Sequence, residues 1–147
     1  MALKQVTKQS STLDPWVSEN AVDGQLSPED NIEGQSTTCT HTKFESNSHT
    51  WTLTLSSDVS LLRIDIYNRV NKKTLCCKDR LRGFTLNAYK DNDVVFSYTD
   101  KTPEAQEVYH VTPQKKLSIA VNGILITSRE DAEALTLCEV HVLGGQA

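Results

Sequence analysis

Short runs in which apolar and polar residues alternate strictly are the feature that most limits how this 147-residue chain can fold. "WTLTL" (51–55) sets Trp51, Leu53 and Leu55 against threonines, and "LLRIDIYN" (61–68) sets Leu62, Ile64 and Ile66 against Arg63, Asp65 and Tyr67. "FTLNAY" (84–89) puts Phe84, Leu86 and Ala88 on one face. "VVFSYT" (94–99), "QEVYHVT" (106–112), "KKLSIAV" (115–121) and "LTLCEVHV" (135–142) follow the same pattern. A period of two places successive side chains on opposite faces, as in a half-buried strand. Asp58, Asn71, Asp91-Asn92-Asp93, Pro103, Pro113 and Asn122-Gly123 punctuate the runs, as turn residues do. The pattern predicts an all-β antiparallel sandwich or barrel. "SREDAEAL" (128–135) is at most a short helical turn, with Ser128 placed to cap it.

The first 50 residues break the alternation. They are rich in Ser, Thr, Asn, Asp, Gly and Pro and predict a long, loop-dominated region, which in a compact domain is usually functional or tied down. No repeat or linker divides the chain, and its length suits a single domain over residues 1-147. A net charge of −4 argues against nucleic acid, whose binders present a basic face. No apolar run reaches the roughly 18 residues of a spanning helix, so membrane insertion is not expected. "MALKQVTKQSST" lacks the apolar stretch of a secretory signal. The chain therefore reads as cytosolic, or as the mature part of a secreted protein. Cys39, Cys76, Cys77 and Cys138 can pair in three ways, and bridging would imply an oxidising compartment.

Three constellations stand out. The first is rich in oxygen: Asn20, Asp23 and Gln25 in "NAVDGQ", Thr37 and Thr38, and Glu139 in "LCEV". A Ca²⁺ ion takes about 6–8 oxygens, and loops add backbone carbonyls to such a set; the plainer reading is an Asp-Gly turn and a solvated Glu139. The second is the cysteines. A bridge from Cys39 to Cys138 would close a loop of roughly 100 residues, worth up to about 5 kcal/mol in the chain-entropy model. Cys76 and Cys77 are adjacent, so their Cα atoms lie about 3.8 Å apart, shorter than the usual disulfide range of about 4.4–6.8 Å. A strained, rigid vicinal bridge, free thiols, and bridges from Cys76 and Cys77 to Cys39 and Cys138 all remain open. So does a metal set of Cys39, His41, Cys76 and Cys77, although zinc sites favour longer spacers. The third is His41, Arg69 and Arg80, three hydrogen-bond donors expected at one rim of the sandwich. Together they suit a sugar, carboxylate or phosphate; taken singly, each is an ordinary surface residue.

In order along the chain, "KQVTKQSST", "NAVDGQ", "CTHT", a Trp-bearing strand, "IYNR", "CC", "DRLRGF" and "LTLCEV" resemble the F-type lectins, which are fucose-binding agglutinins with a discoidin-like jelly-roll β-sandwich. The resemblance runs over about residues 4–143. It implies a non-catalytic, secreted lectin for terminal α-L-fucose, whose partners are fucosylated glycans or glycoproteins. It implies that His41, Arg69 and Arg80 donate hydrogen bonds to the axial 4-hydroxyl and its neighbours. It further implies a Cys39–Cys138 bridge and a Cys76–Cys77 bridge that packs against a ring face. A structural Ca²⁺ is implied on Asn20, Asp23, Gln25, Thr38, the Cys138 carbonyl and Glu139. One exposed monosaccharide buries little area, so useful avidity is expected from multivalency, with homo-oligomerisation as one route.

The chain also departs from the family. The usual "NR-x-D-CC" becomes "NRVNKKTLCC". Asn71 stands in the place of the acid that orients the arginines, and Asp79 is the nearest substitute. The Asn71–Leu75 insertion, with Lys72 and Lys73, could reach a second sugar or an acidic group. It also opens an alternative, a discoidin-like adhesion module whose altered loop recognises another glycan or a protein. Phe44 and Ile32 are candidates for an aromatic or apolar contact that some members place near the fucose methyl. A glycosidase would need two carboxylates about 5–9.5 Å apart across the sugar, and only Asp79 falls in the expected pocket.

Overall fold

The computed structural model describes residues 5–25, 39–45, 48–70 and 77–147. Its described residues form seven strands in chain order: β1 (Val6–Gln9), β2 (Thr50–Asn68), β3 (Thr85–Lys90), β4 (Asp93–Thr99), β5 (Val108–Val111), β6 (Val121–Thr127) and β7 (Leu137–Gln146). All pairings are antiparallel. β2, 19 residues long, organises the molecule. Its first part pairs with β1 and β6, and β3 and β4 extend that layer. Its last part pairs with β5 on one side and β7 on the other. The register slips between Thr54 and Val59, where β2 passes from one layer to the other. Trp51, Leu53, Ile64, Ile66, Phe84, Leu86, Ile126, Leu137 and Val140 fill the space between the layers. This is the discoidin-like jelly-roll β-sandwich that the resemblance implies.

Several local expectations are corrected. "WTLTL" and "LLRIDIYN" are one strand, and Asp58 lies within it rather than in a turn. Leu62 is 60% exposed while Leu61 is buried. A second slip, between Leu61 and Arg63 against β7, inverts the predicted faces at that point. Asp65, expected outward, is buried and held by Arg63 Nε at 2.9 Å and His110 Nδ1 at 2.6 Å. "KKLSIAV" forms no strand apart from its last residue, and Asn122-Gly123 is not a turn: both residues lie inside β6. The Asn122 side chain reaches across to the β3–β4 turn, accepting from the Asp91 N–H at 2.9 Å and donating to its carboxylate at 3.0 Å. Residues 128–135 form no helix. Ser128 Oγ instead accepts the His49 N–H at 3.0 Å. β1 lies in the region expected to be loop.

Cys39 is bonded to Cys138, a separation of 99 residues. This bridge fastens the long first region to β7. Cys77 is also disulfide-bonded; Cys76, and with it the predicted vicinal pair, lies outside the described residues.

Candidate functional site

His41 is held from two sides. Its N–H donates to the Trp16 carbonyl and its own carbonyl accepts from the Leu13 N–H. On the other side, Thr40 and Thr42 stitch the segment to the start of β7. Their N–H groups donate to the Leu137 and Leu135 carbonyls, and their hydroxyls accept the Leu137 and Leu135 N–H groups in return, at 3.0 and 2.9 Å. The alternating threonines of "CTHT" thus act as a ladder, and His41 between them points the opposite way, as the two-residue period requires.

That placement buries His41, which is 3% exposed. Its Nδ1 donates to the Thr42 carbonyl, which leaves Nε2 with a lone pair, 3.2 Å from Arg80 Nη1. Burial above all, with the nearby charges of Arg80 and Arg69, depresses its pKa to about 4, against the opposing pull of the Thr42 carbonyl and Glu133. The imidazole is therefore neutral, and its outward nitrogen is an acceptor. The sequence had suggested three donors; the folded site presents two donors and one acceptor.

Arg69 follows the last residue of β2, and Arg80 lies in a short 3-10 turn, Lys78–Leu81. Asn68 of "IYNR" brings them together: fully buried, its amide donates to the Lys78 carbonyl at 2.8 Å and to the Gln106 carbonyl at 3.0 Å. Cys77, at φ +84°, turns the chain into the 3-10 turn; few side-chain-bearing residues adopt that left-handed conformation. The Arg80 guanidinium stands 5.3 Å over the Phe44 ring, and Arg69 stands 5.9 Å from the Trp16 ring centroid. Both distances are within cation–π reach. His41 packs against both rings, at 5.6 Å from Trp16 and 5.0 Å, edge-on, from Phe44. Phe44 remains 56% exposed, so it offers a flat apolar face beside the polar groups. The structure thus brings His41, Arg69, Arg80 and Phe44 together. Ile32, Asn71, Lys72, Lys73, Leu75 and Cys76 lie outside the described residues.

Asp79 does not orient the arginines of the site. Its carboxylate pairs with Arg82 at 2.8 Å and Arg129 at 3.0 Å, and those partners, Arg82 first, hold its pKa below the usual carboxylate value. The acid on Arg80 is Glu133, whose Oε1 accepts from Nε at 2.9 Å. Sequence reading missed Glu133, 53 residues away, and Trp16. For Trp16 a signal existed: it is one of only two tryptophans, placed in an otherwise polar loop. For Glu133 there was none, because its partner is chosen by the fold.

The oxygen cluster sits behind the site. Asn20 lies in the 3-10 turn Ser18–Val22 and Asp23 follows it; the turn packs against β7. Asn20 Nδ2 donates to the Cys39 carbonyl at 3.0 Å, and Asp23 Oδ1 accepts the Gln25 N–H at 2.9 Å. Glu139 is 1% exposed, and its Oε1 has no hydrogen-bond partner. Burial first, then the charge of Asp23, push its carboxyl up to about 8. Among the described residues no three His, Cys, Asp or Glu side chains gather as a metal-ligand group. Two repelling carboxylates, one with an orphaned buried oxygen, still fit a hard cation whose other ligands are amide and carbonyl oxygens. Thr38, expected in this set, lies outside the described residues.

A sandwich with a rim site of paired guanidiniums, a neutral imidazole and exposed aromatic surface defines a carbohydrate-binding, lectin-type module. Comparison with known proteins agrees. The model of the NedA-like, galactose-binding domain family matches residues 20–124, and the chain belongs to that family. A fucose-binding module from Streptococcus pneumoniae, SpX-3, is 28% identical with a TM-score of 0.79, covering 99% of this chain and 97% of the other. The lectin domain of lectinolysin, solved with Lewis B antigen, is 20% identical with a TM-score of 0.82, covering 98% and 95%. A fucolectin from striped bass (Morone saxatilis) serum is 22% identical with a TM-score of 0.77, covering 99% of this chain and 48% of that one. These likenesses bear out the resemblance to the F-type lectins. No curated protein sequence matches the chain.

Proposed function

We propose that this chain is a non-catalytic, calcium-stabilised lectin that binds terminal α-L-fucose on glycans through His41, Arg69 and Arg80. The observation that carries the reading is the donor and acceptor arrangement: Arg80 Nη1 faces the lone pair of a neutral His41 Nε2 at 3.2 Å, with Arg69 alongside. A hydroxyl accepts and donates at once. A sugar hydroxyl that displaces this hydrogen bond accepts from an arginine and donates to the freed His41 Nε2 lone pair, a match that neither a carboxylate nor a phosphate dianion makes. Phe44 and the disulfide-bonded Cys77 supply apolar surface for the C–H face of the ring, with Cys76 as its expected continuation. The family likeness to galactose-binding domains favours one second reading, D-galactose, which also carries an axial 4-hydroxyl.

Asn20, Asp23, Gln25, Thr38, the Cys138 carbonyl and Glu139 would hold Ca²⁺. When bound, it would neutralise the Asp23–Glu139 repulsion and pin the segment that presents His41. Donors and acceptors ordered before binding lose less entropy when the sugar arrives. The disulfide fits an extracellular protein, and fucosylated glycoproteins are the natural partners there, with homo-oligomers as a source of avidity.

A glycan array probed with and without free L-fucose or D-galactose tests the specificity. Binding should fall on fucosylated glycans and be competed by L-fucose. Competition by galactose alone would favour the second reading, and binding that neither sugar competes would sink both. Arg80→Ala and His41→Ala should each abolish calorimetric fucose binding without unfolding the domain.

A further inference from the structure

Resting on this sugar-binding reading, we propose that Glu133, on the segment between β6 and β7, is a positioning residue for Arg80. It serves in place of the acid that the chain lacks at Asn71. Arg80 uses its guanidinium edge by edge. Nε donates to Glu133 Oε1 at 2.9 Å, Nη1 donates to His41 Nε2 at 3.2 Å, and the cation's face lies 5.3 Å over Phe44. The Glu133 bond fixes rotation of the planar group about its own stem, so the remaining N–H donors keep one direction. Without it, the long side chain could turn about Cδ–Nε and present a different edge to the ligand.

The segment that carries Glu133 is itself locked to the turn that carries Arg80. Arg129 Nη1 donates to the Asp79 carbonyl at 2.6 Å and the Arg82 carbonyl at 2.8 Å, and Nη2 donates to the Asp79 carboxylate at 3.0 Å. Gly83, at φ +79°, lets the chain pass close to the Arg129 side chain. Backbone and guanidinium of the Arg80 turn are thus both held from one neighbouring segment. Glu133 is well exposed, so its ion pair contributes little to stability. Its effect belongs to the geometry of the bound state.

Calorimetry with L-fucose on the whole chain tests the idea in five forms: unmodified, Glu133→Ala, Glu133→Gln, Arg80→Lys, and Glu133→Ala combined with Arg80→Lys. Glu133→Ala should weaken fucose binding about tenfold, the scale of one charge-assisted hydrogen bond. Glu133→Gln keeps an acceptor oxygen at the same reach and should stay within about threefold of the unmodified chain. Melting temperatures should be unchanged. In the Arg80→Lys background, which has no Nε–H, Glu133→Ala should have no further effect, because the coupling runs through that bond. The Arg80 Nε–H signal in ¹⁵N NMR without sugar should be protected from exchange and lose protection in Glu133→Ala. Equal fucose affinity in Glu133→Ala, an equal loss in the Arg80→Lys background, or an unchanged exchange rate overturns the proposal. Absence of fucose binding by the unmodified chain instead overturns the sugar reading, and the NMR result then still decides whether Glu133 positions Arg80.

Discussion

At the scale of single residues, the site depends on keeping one imidazole neutral between two guanidiniums. The folded pKa of His41, about 4, lies below its ordinary 6.5. A depressed histidine contributes stability that is fully present above the unfolded value and is lost as pH falls toward the folded one. Ligand binding follows the folded value alone, because only protonation of the folded protein's His41 removes the acceptor for a hydroxyl proton. Fucose affinity measured by calorimetry should therefore be flat from about pH 5 to 8 and fall steeply near pH 4. A midpoint near 6.5 would mean that burial and the arginines do not control the group. His41, Arg69 and Arg80 were legible in the sequence because each sits in a distinct local motif. That Nε2 accepts was not legible: it follows from the Thr42 carbonyl claiming Nδ1, a tertiary choice of tautomer.

At the scale of elements, β2 and β7 form the frame that carries both the site and the oxygen cluster. Gly144 is opposite Leu61 in their pairing. A Cβ there would overlap the Ser60 carbonyl and press on Val59 Cγ1 at 2.9 Å. Backbone cannot yield as a side-chain tip can, so Gly144→Ala should cost about 3 kcal/mol in urea unfolding. Gly145→Ala, with open space around it, should stay within about 0.5 kcal/mol of the unmodified chain. Alternation predicted these strands well where they were regular. It failed at Leu62 and at "KKLSIAV". A register slip of one residue exchanges faces without any change in pattern, and an alternating run becomes a strand only if the fold gives it a partner.

At the scale of the whole molecule, the Cys39–Cys138 bridge and the proposed cation act on the same junction between the first region and β7. With Glu139 raised to about 8, the cation-free protein is favoured below about pH 4.5 and loses stability as pH rises toward 8, because the unfolded chain releases that proton earlier. EDTA should therefore lower the melting temperature, and by more at pH 8 than at pH 5. Calcium binding near pH 7 should release protons, seen as a buffer-dependent calorimetric enthalpy. An EDTA effect of equal size at both pH values would separate Glu139 from the cation site, and no effect at either would remove the structural ion.

The sequence alone determined that the chain is an antiparallel β-protein, because a two-residue period of apolar side chains can be buried only on one face of a strand. It also marked His41, Arg69 and Arg80, because these lie in short motifs whose chemistry is local; the pairing of Cys39 with Cys138 was implied only by the family resemblance. Only the tertiary structure decided which acid holds Arg80, which aromatic rings flank the cations, and whether His41 gives or takes a proton. Those are pairings between residues tens of positions apart, such as Arg80 with Glu133 and Arg69 with Trp16. Their partners are set by the way β2 passes between layers and brings loop ends to one rim, a geometry that no local stretch of the chain encodes.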